Sequence, residues 1–410
     1  MISLTYANAL TVLSVDDAIS IALKNNYDIR IARSNADINA ANNTAGNAGM
    51  LPTAQATAST SYTYYTNQNQ SESAGTVNLG AELNWNLYDG GKMYVTKEKL
   101  NEMQALGELH YKTMVQQTIF NVINAYYDIV RQNQQLISIE EVINYNTERV
   151  TLTEAGFNAG TLAKTDLLLA KIDLNVAKQN AINQEYSIAA AKEYLNTILA
   201  QDSGIEFSVS DSISIGAMPN QDELTQKVNS SNLSLQNIKK QIDIAKLTLQ
   251  ETDALSMPKV GLRGAYNLFQ NFNERSPFEN RTFGPQLMAT LQVPLYTAGE
   301  TDRKVAIAQL ELQSNEFELL QAKQEVNIQL KNTIRLFENQ QKLLAIESEN
   351  HELAEENFKL SIERLKYGQT TAIEIHQAQE EFVQSNTRLV NFRYNLKIAE
   401  TKLKQLIGEL

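Results

Sequence analysis

Two very long segments without proline dominate this chain. Residues 92–154 contain one glycine and no proline, and residues 300–367 contain neither. Because proline and glycine interrupt helices, each segment is predicted to form one continuous helix, about 95–100 Å long at ~1.5 Å rise per residue. Such helices are far longer than those of ordinary globular domains, so the sequence predicts a mainly α fold.

Apolar residues in the first long segment recur at steps of four and three, with one step of seven. The series consists of Val115, Ile119, Val122, Tyr126, Ile129, Leu136, Ile139 and Ile143. This is a heptad seam, which favours side-by-side packing of helices as coiled coils. Each long helix is followed by a glycine turn, at 156–166 or 365–374, and then by a return helix. We therefore predict two long helical hairpins.

Each long helix is preceded by two short segments in which apolar and polar residues alternate. The first pair lies at about 52–88 and the second at about 258–296. Alternation with a period of two predicts strands with one apolar and one polar face, and the polar stretches between them predict hairpins. The apolar faces include Leu79, Leu83, Trp85, Leu287, Leu291 and Val293.

A constant offset of 208 residues relates the two halves of the chain. It brings Leu83 onto Leu291, and it repeats the strand-to-helix junction as NLYDGG (86–91) and PLYTAG (294–299). Repeats are to be sought first, because they decide the fold. We predict an N-terminal extension (1–13), a first repeat (14–208, long helix about 92–155), a linker (209–220) and a second repeat (221–410, long helix about 300–367).

Four half-apolar strands need a cover for their apolar faces. They are too few to close a barrel, for which eight strands is about the minimum, whereas three chains would supply twelve and leave no edge. Tilted strands of about ten residues span a bilayer core of about 30 Å, and Tyr62, Tyr64, Tyr65 and Trp85 lie near strand ends, where aromatic girdles occur. The sequence favours a trimeric membrane barrel; a soluble β-layer buried on one side is the alternative.

The composition excludes several classes of protein. The formal net charge is −12, which argues against nucleic acid as a partner because phosphate binding needs a basic surface. There is no cysteine, so disulfides and thiolate chemistry are excluded, and no apolar run is long enough for a transmembrane helix. His110, His351 and His376 are far apart, and nucleotide-binding motifs are absent. We therefore predict no enzyme activity, cofactor or metal.

The first residues carry a weak targeting signal. Ala7-Asn8-Ala9 has the A-x-A form of a signal-peptidase site, but no basic stretch precedes it and the apolar run is short. A frayed terminus is favoured over the remnant of a leader.

The duplicated plan, the NLYDGG and PLYTAG junctions and the glycine turns resemble those of the TolC-like outer-membrane efflux channels, from about Leu13 to Ile407. The resemblance implies a homotrimer with a twelve-stranded β-barrel in outer-membrane lipid and a twelve-helix α-barrel in the periplasm. It also implies a passive conduit for tripartite efflux or type I secretion, which binds a periplasmic adaptor and an inner-membrane transporter.

The resemblance assigns roles to the glycine turns. An adaptor would dock on the turn glycines and their neighbours, which are Gly160, Thr161, Leu162, Gly368 and Gln369. Asp166 and Glu374 match acidic positions just inside the closed aperture, where three copies would form rings of carboxylates that favour cations. A solvated helix face, or a partner for the helix dipole, is the alternative for each carboxylate.

The resemblance is incomplete at the second turn. The constricting arginine of the family aligns with Thr370 or Thr371, so that latch is absent or rebuilt, and Lys164 in the first turn is a candidate substitute.

The strand-to-helix junctions contain Tyr88, Gly90, Gly91, Tyr296 and Gly299. Glycine permits the positive φ values and close backbone approach that such a reversal requires, although glycines that merely end strands explain their presence equally well.

A soluble periplasmic coiled-coil adaptor or scaffold is the main alternative function. It explains the long helices equally well, but it does not explain four amphipathic strands at the far end of two helical hairpins. Extraction into detergent as a heat-modifiable trimer would distinguish the channel from the adaptor.

Overall fold

The computed structural model describes residues 12–67, 70–210, 212–216, 220–273 and 276–410. Its helices are α1 (Val15–Asn25), α2 (Tyr27–Asn42), α3 (Lys92–Asn158), α4 (Lys164–Leu199), α5 (Gln221–Ser231), α6 (Leu233–Asp253), α7 (Glu300–Lys366) and α8 (Ala372–Leu406). Its strands are β1 (Val12–Leu13), β2 (Thr53–Asn67), β3 (Gln70–Tyr88), β4 (Ser208–Val209), β5 (Lys259–Asn273) and β6 (Ser276–Gln292). The mainly α fold class, with two β-hairpins, is confirmed.

The two long segments form α3 and α7, each of 67 residues. The glycine inside the predicted first helix has a packing reason: a Cβ at Gly107 would lie 2.7 Å from Nδ2 of Asn39 and 3.3 Å from Cα of Ala36. Because Gly107 has no Cβ, α2 approaches α3 closely at this position. The packing gained there offsets the low helix propensity of glycine.

The described residues form two compact units. The first consists of the described residues of Met1–Ala32, Tyr111–Leu235 and Ala322–Leu410, and the second consists of those of Arg33–His110 and Gln236–Gln321. In the first unit the heptad seam is buried at Val122, Tyr126 and Ile129, against Leu195 and Leu199 of the return helix α4.

A small parallel pair of strands closes the core of the first unit. Val12 and Leu13, which the sequence assigns to the N-terminal extension, pair with Ser208, the last residue of the predicted first repeat, and Val209, the first residue of the predicted linker. The Tyr126 hydroxyl donates to the carbonyl of Leu13 (2.9 Å) and accepts from the N–H of Ser210 (3.1 Å). One buried tyrosine therefore satisfies a carbonyl of β1 and the N–H directly after β4.

The second unit contains an antiparallel sheet of order β2-β3-β5-β6. The β2-β3 and β5-β6 hairpins are those that the alternating pattern predicts. They are joined through β3 and β5, whose register pairs Leu79 with Leu268 and Trp85 with Leu262. The strands at the two edges of the sheet are β2 and β6.

One face of this sheet carries the predicted apolar residues. Directly paired residues share a face in an antiparallel sheet, and the row through Leu83 consists of Ala54, Leu83, Gly264 and Leu287. Parallel rows place Leu79, Trp85 and Leu291 on the same face. The prediction that Val293 lies on the strand is wrong: β6 ends at Gln292, because Pro294 follows and its nitrogen has no hydrogen to donate to the ladder.

The opposite face of the sheet is polar. The carboxylate of Glu82 accepts hydrogen bonds from Gln55 on β2 and from Arg263 on β5, and forms an ion pair with Arg263. The Nδ2 of Asn84 also donates to Glu82, at 3.3 Å. The ion pair joins the two hairpins across the polar face.

The junctions between strand and helix use glycine where the backbone demands it. Gly90 has φ of 80°, and a Cβ there would lie 2.5 Å from Cβ of Met257 and 2.7 Å from the carbonyl of Ala254. Gly91 and Gly299 have φ of 86° and 75°. Tyr88 ends β3, and Tyr296 is almost fully exposed in the single chain.

Among the described residues, no helix is both long enough and apolar enough to cross a membrane. The predicted A-x-A site, residues 7–9, lies outside the described residues.

Candidate functional site

The turn between α3 and α4 is built around two glycines. Gly160 has φ of 74°, and its N–H donates to the carbonyl of Phe157 (3.0 Å). The N–H groups of Thr161 and Leu162 both donate to the carbonyl of Gly156, at 2.9 and 3.2 Å. Leu162 packs so closely on Gly156 that a Cβ there would lie 2.6 Å from Leu162 Cδ1. This is a glycine-terminated helix end, which satisfies the last carbonyls of α3.

The turn between α7 and α8 repeats this geometry with different side chains. Gly368 has φ of 66°, and its N–H donates to the carbonyl of Leu365 (3.0 Å). The Arg364 guanidinium donates to the carbonyl of Gln369 (2.8 Å). Thr161, Gly368 and Gln369 are exposed, and Leu162 is half-buried. Both turns are therefore accessible at the surface of the single chain.

Asp166 and Glu374 occupy the same position in the first turn of their helices. The Asp166 carboxylate accepts from the N–H of Ala163 (3.2 Å). Glu374 accepts from the N–H of Thr371 (3.3 Å), while its own N–H donates to the Thr371 hydroxyl (3.3 Å). The second turn thus forms a complete capping box; Ala163 has no side-chain acceptor, so the first turn forms half of one.

Glu374 has a further partner in the turn. The Thr370 hydroxyl donates to its Oε2 at 2.7 Å. This hydrogen bond, followed by the one from the Thr371 N–H, lowers the pKa of the Glu374 carboxyl, because both favour the charged form. Thr370 therefore orients Glu374 and favours its ionised form. Lys164, the first residue of α4, is exposed.

A buried arginine lies behind the two turns, and none of the sequence patterns above includes it. Arg149 of α3 is 1% exposed. Its Nη1 lies 2.7 Å from Oδ2 of Asp173 on α4, and its Nη2 makes a long hydrogen bond of 3.5 Å to the carbonyl of Ala372, the first residue of α8. Asp173 in turn lies 3.4 Å from Nδ1 of His376 on α8. These four residues, Arg149, Asp173, Ala372 and His376, are called the arginine cluster below.

The polar groups near the cluster are incompletely paired. The buried Nε of Arg149 has no hydrogen-bond partner among the described residues, and neither does the side-chain amide of Asn146, which is 1% exposed. Asn146 continues the heptad seam three residues after Ile143. This polar residue at a seam position indicates, from the sequence, that the coiled-coil interface becomes polar near the turn.

A match to a family model identifies the family of this chain. The family model described as "Outer membrane efflux protein" matches residues 18–201 and 224–409, which is most of the chain. The chain belongs to the outer membrane efflux protein family. The outer membrane protein TolC of Vibrio cholerae serotype O1 is 22% identical to it over 332 residues, covering 77% of this chain and 73% of TolC.

Solved structures of outer-membrane channels share the fold of this efflux protein. The CmeC outer membrane channel of Campylobacter jejuni matches with a TM-score of 0.80 at 13% identity, covering 96% of this chain and 85% of CmeC. The outer membrane protein VceC of Vibrio cholerae matches with a TM-score of 0.76 at 15% identity, covering 96% of both chains.

Family membership fixes the class of activity and the location. The protein is an outer-membrane efflux channel, which lies in the outer membrane with its helical portion in the periplasm. The family is one of channels rather than of enzymes, and it implies trimeric assembly and adaptor and pump partners in general terms. The soluble adaptor or scaffold considered above is not supported by these matches.

Proposed function

We propose that three copies of this efflux protein close one twelve-stranded barrel by pairing β6 of each copy with β2 of the next. The order β2-β3-β5-β6 leaves long strands of 15 and 17 residues at the two edges of the sheet. Unpaired edges of this length would template aggregation, and closure removes them. Leu79, Leu83, Trp85, Leu287 and Leu291 then face lipid, and the polar face with Glu82 and Arg263 lines the lumen.

The helices support the same assembly. On α7, Ile346, Leu353 and Leu360 recur in steps of seven and are exposed in the single chain. On α4, Leu168, Ile172 and Val176 are likewise exposed at helical spacing. Apolar residues that recur every seven positions, or every four, form a stripe along one side of a helix, as at a coiled-coil interface. Neighbouring copies in a closed ring of twelve helices would cover these exposed stripes. We also propose that residues 14–208 and 221–410 are two structural repeats, since the same succession of elements occurs in both.

The two long edge strands, β2 and β6, are the main support for the closed barrel. The oligomeric state of the purified protein tests it. Purified in detergent, the protein is expected to sediment as a trimer, to shift in gel mobility on heating and to conduct ions in planar bilayers. A monomer that is stable in buffer without detergent would contradict the closed barrel.

The two glycine turns are proposed to form the periplasmic aperture and to dock the adaptor. Two observations support this role: residues of both turns are exposed, and each return helix has a carboxylate in its first turn. Asp166 and Glu374 of three copies would then make two rings of carboxylates, with Thr370 orienting Glu374 and Lys164 placed to meet a carboxylate of a neighbouring copy. The adaptor and an inner-membrane transporter would complete the pathway.

Removing the charge of the two carboxylates should reduce cation preference. Asp166→Asn and Glu374→Gln keep oxygen acceptors for the helix caps, so the turns are expected to stay folded while the rings become neutral. In a salt gradient, the reversal potential of the double variant should move towards zero. The matched control is Glu363→Gln, on the exposed end of α7. An unchanged reversal potential would remove both carboxylates from the aperture.

Cation preference should also depend on pH in a way that the Thr370 hydrogen bond sets. Because the pKa of the Glu374 carboxyl is lowered, the group is fully charged at neutral pH. It loses this charge only when the pH falls below the ordinary glutamate pKa of about 4.3. Thr370→Val removes the largest cause of the lowered pKa, so the loss of selectivity should move to higher pH. Reversal potentials between pH 3 and 7 would measure this shift, and an identical profile for Thr370→Val would contradict the assignment.

A further inference from the structure

From the polar face of the sheet we infer that Arg263 is a contact site for anionic oxygen groups, such as phosphate or carboxylate, on molecules that pass through the barrel. This inference rests on the proposed closed barrel, in which the polar face lines the lumen. The preference of this site is opposite in sign to that of the carboxylate rings proposed at the two turns.

The charge on this face differs in sign from that of the whole chain, whose formal net charge is −12. Directly paired residues share a face. On the polar face, the described rows from that of Lys259 to that of Asn271 contain three charged residues, which are Lys259, Arg263 and Glu82. Two cations and one anion leave one positive charge per chain on these rows, and basic side chains that ring a pore attract anions.

Within the ion pair between Glu82 and Arg263, the anion is the less accessible partner. The Glu82 side chain is 17% exposed, whereas that of Arg263 is 45% exposed. Three side chains already donate hydrogen bonds to the Glu82 carboxylate, which are those of Gln55, Asn84 and Arg263 itself. A molecule in the lumen therefore meets the guanidinium before it meets the carboxylate.

The Arg263 guanidinium has donors to spare. It carries five N–H donors in a fixed fork, and among the described residues its hydrogen-bond partner is Glu82 alone, which binds Nη2. Its neighbours on the polar face are uncharged: Asn84 and Met288 lie in its own row, and Gly261 lies in the next. Such a fork matches the paired oxygens of a phosphate or carboxylate group, which arginine binds through two parallel hydrogen bonds.

Glu82 also restrains the Arg263 side chain. Glu82 lies on β3 and Arg263 on β5, so the ion pair spans the line where the two hairpins meet. A long side chain that is already restrained loses less conformational entropy when it binds a ligand. Glu82 is therefore a positioning residue for the contact site.

Neutral substitutions of the two charges should change ion selectivity in opposite directions. Reversal potentials are measured in a potassium chloride gradient in the Asp166→Asn/Glu374→Gln background, where the proposed aperture rings are neutral. Arg263→Gln leaves Glu82 uncompensated and should shift the preference towards cations, whereas Glu82→Gln leaves Arg263 uncompensated and should shift it towards anions. The double variant Glu82→Gln/Arg263→Gln should return to the background value. Because a pair that only stabilises the sheet gives no shifts of opposite sign, absent or same-sign shifts would overturn the inference.

The matched control for this measurement is Arg281→Gln. Arg281 lies on β6 in the row of Thr60, Val77 and Gln270, on the opposite face of the same sheet, and it is exposed. The variant removes the same charge from the sheet without changing the lumen, so its reversal potential should equal that of the background. A shift as large as that of Arg263→Gln would overturn the inference, because a position in the lumen would then not be required.

Inorganic phosphate tests the contact with oxygen anions, in a protein whose aperture is unchanged. Ionic strength is held constant because salt screens exposed charges, and phosphate that replaces chloride should reduce the current. Arg263→Lys keeps the charge but not the fork, so it should keep the wild-type reversal potential in potassium chloride. Its half-blocking phosphate concentration should rise about tenfold, which corresponds to one lost hydrogen bond to a charged group. Equal phosphate block in the wild type and in Arg263→Lys or Arg263→Gln would overturn the inference.

Failure of the closed barrel would give a different result. A wild-type protein that is a monomer in detergent, or that does not conduct, would contradict the barrel itself. A conducting trimer whose phosphate block does not depend on Arg263 would overturn the contact site alone. If Arg263→Gln does not assemble, Arg263→Lys and Glu82→Gln still decide, because both keep the cation and each has its own expected outcome.

Discussion

Arginine in place of Leu83 or Leu291 should abolish assembly in the outer membrane. Both side chains lie on the apolar face of the sheet, in rows occupied by alanine, glycine, valine, tyrosine and leucine. An arginine at the bilayer midplane on the lipid face of a barrel costs about 2–4 kcal/mol, and three copies of each variant multiply this cost within one trimer. Fractionation followed by a heat-modifiability gel would measure the loss, and helical content in whole extracts should remain.

The matched control for this prediction is Thr290→Arg. Thr290 is adjacent to Leu291 on β6 and is exposed, but it points to the opposite, polar face. A lumen-facing arginine remains in water, so this variant should assemble normally. Equal assembly of Leu291→Arg and Thr290→Arg would show that the apolar face does not contact lipid, and would contradict the barrel proposal.

Valine at Gly160 and Gly368 should abolish efflux while the trimer remains. The φ values of 74° and 66° lie in the left-handed region, where a β-branched residue costs on the order of 1–3 kcal/mol of strain. A Cβ added at either glycine would have no heavy atom within 4 Å beyond its chain neighbours, so the damage should be confined to the shape of the turn. Drug susceptibility of a host that depends on this channel should rise to that of a deletion strain.

Gly204→Val is the matched control, because it introduces the same kind of backbone strain outside the two turns. Gly204 has φ of 87° and is equally open, but it lies in the loop after α4 rather than in either turn. Its variant should suffer similar strain yet keep efflux activity. Pull-down of the adaptor by each variant would complete the comparison; binding by Gly160→Val/Gly368→Val at the wild-type level would contradict docking at the turns.

Local periodicity accounts for what the sequence predicts well. The heptad series and the absence of proline predict α3 and α7, and strict alternation predicts the four long strands, because each pattern reflects the geometry of its own element. The glycines of the turns are visible for the same reason, since positive φ is a property of single residues. The error at Val293 concerns one residue at a strand end, where proline terminates the ladder.

Contacts between distant residues were not predictable in this way. The cap hydrogen bonds of Asp166 and Glu374 are local, but the predictions for these carboxylates were only an aperture role, a solvated face or a partnership with the helix dipole. The pairing of β3 with β5 joins segments far apart in the chain, and neither hairpin pattern specifies it.

The lengths of the helices, the faces of the strands and the positions of the turns follow from local sequence patterns, because these features depend on residues close to each other in the chain. Tertiary structure alone decided that β3 lies beside β5 and that Arg149 is buried between α4 and α8. An arginine on a helix is normally solvated, and its burial follows only from the packing of partners that lie 24 and 223 residues away in the sequence.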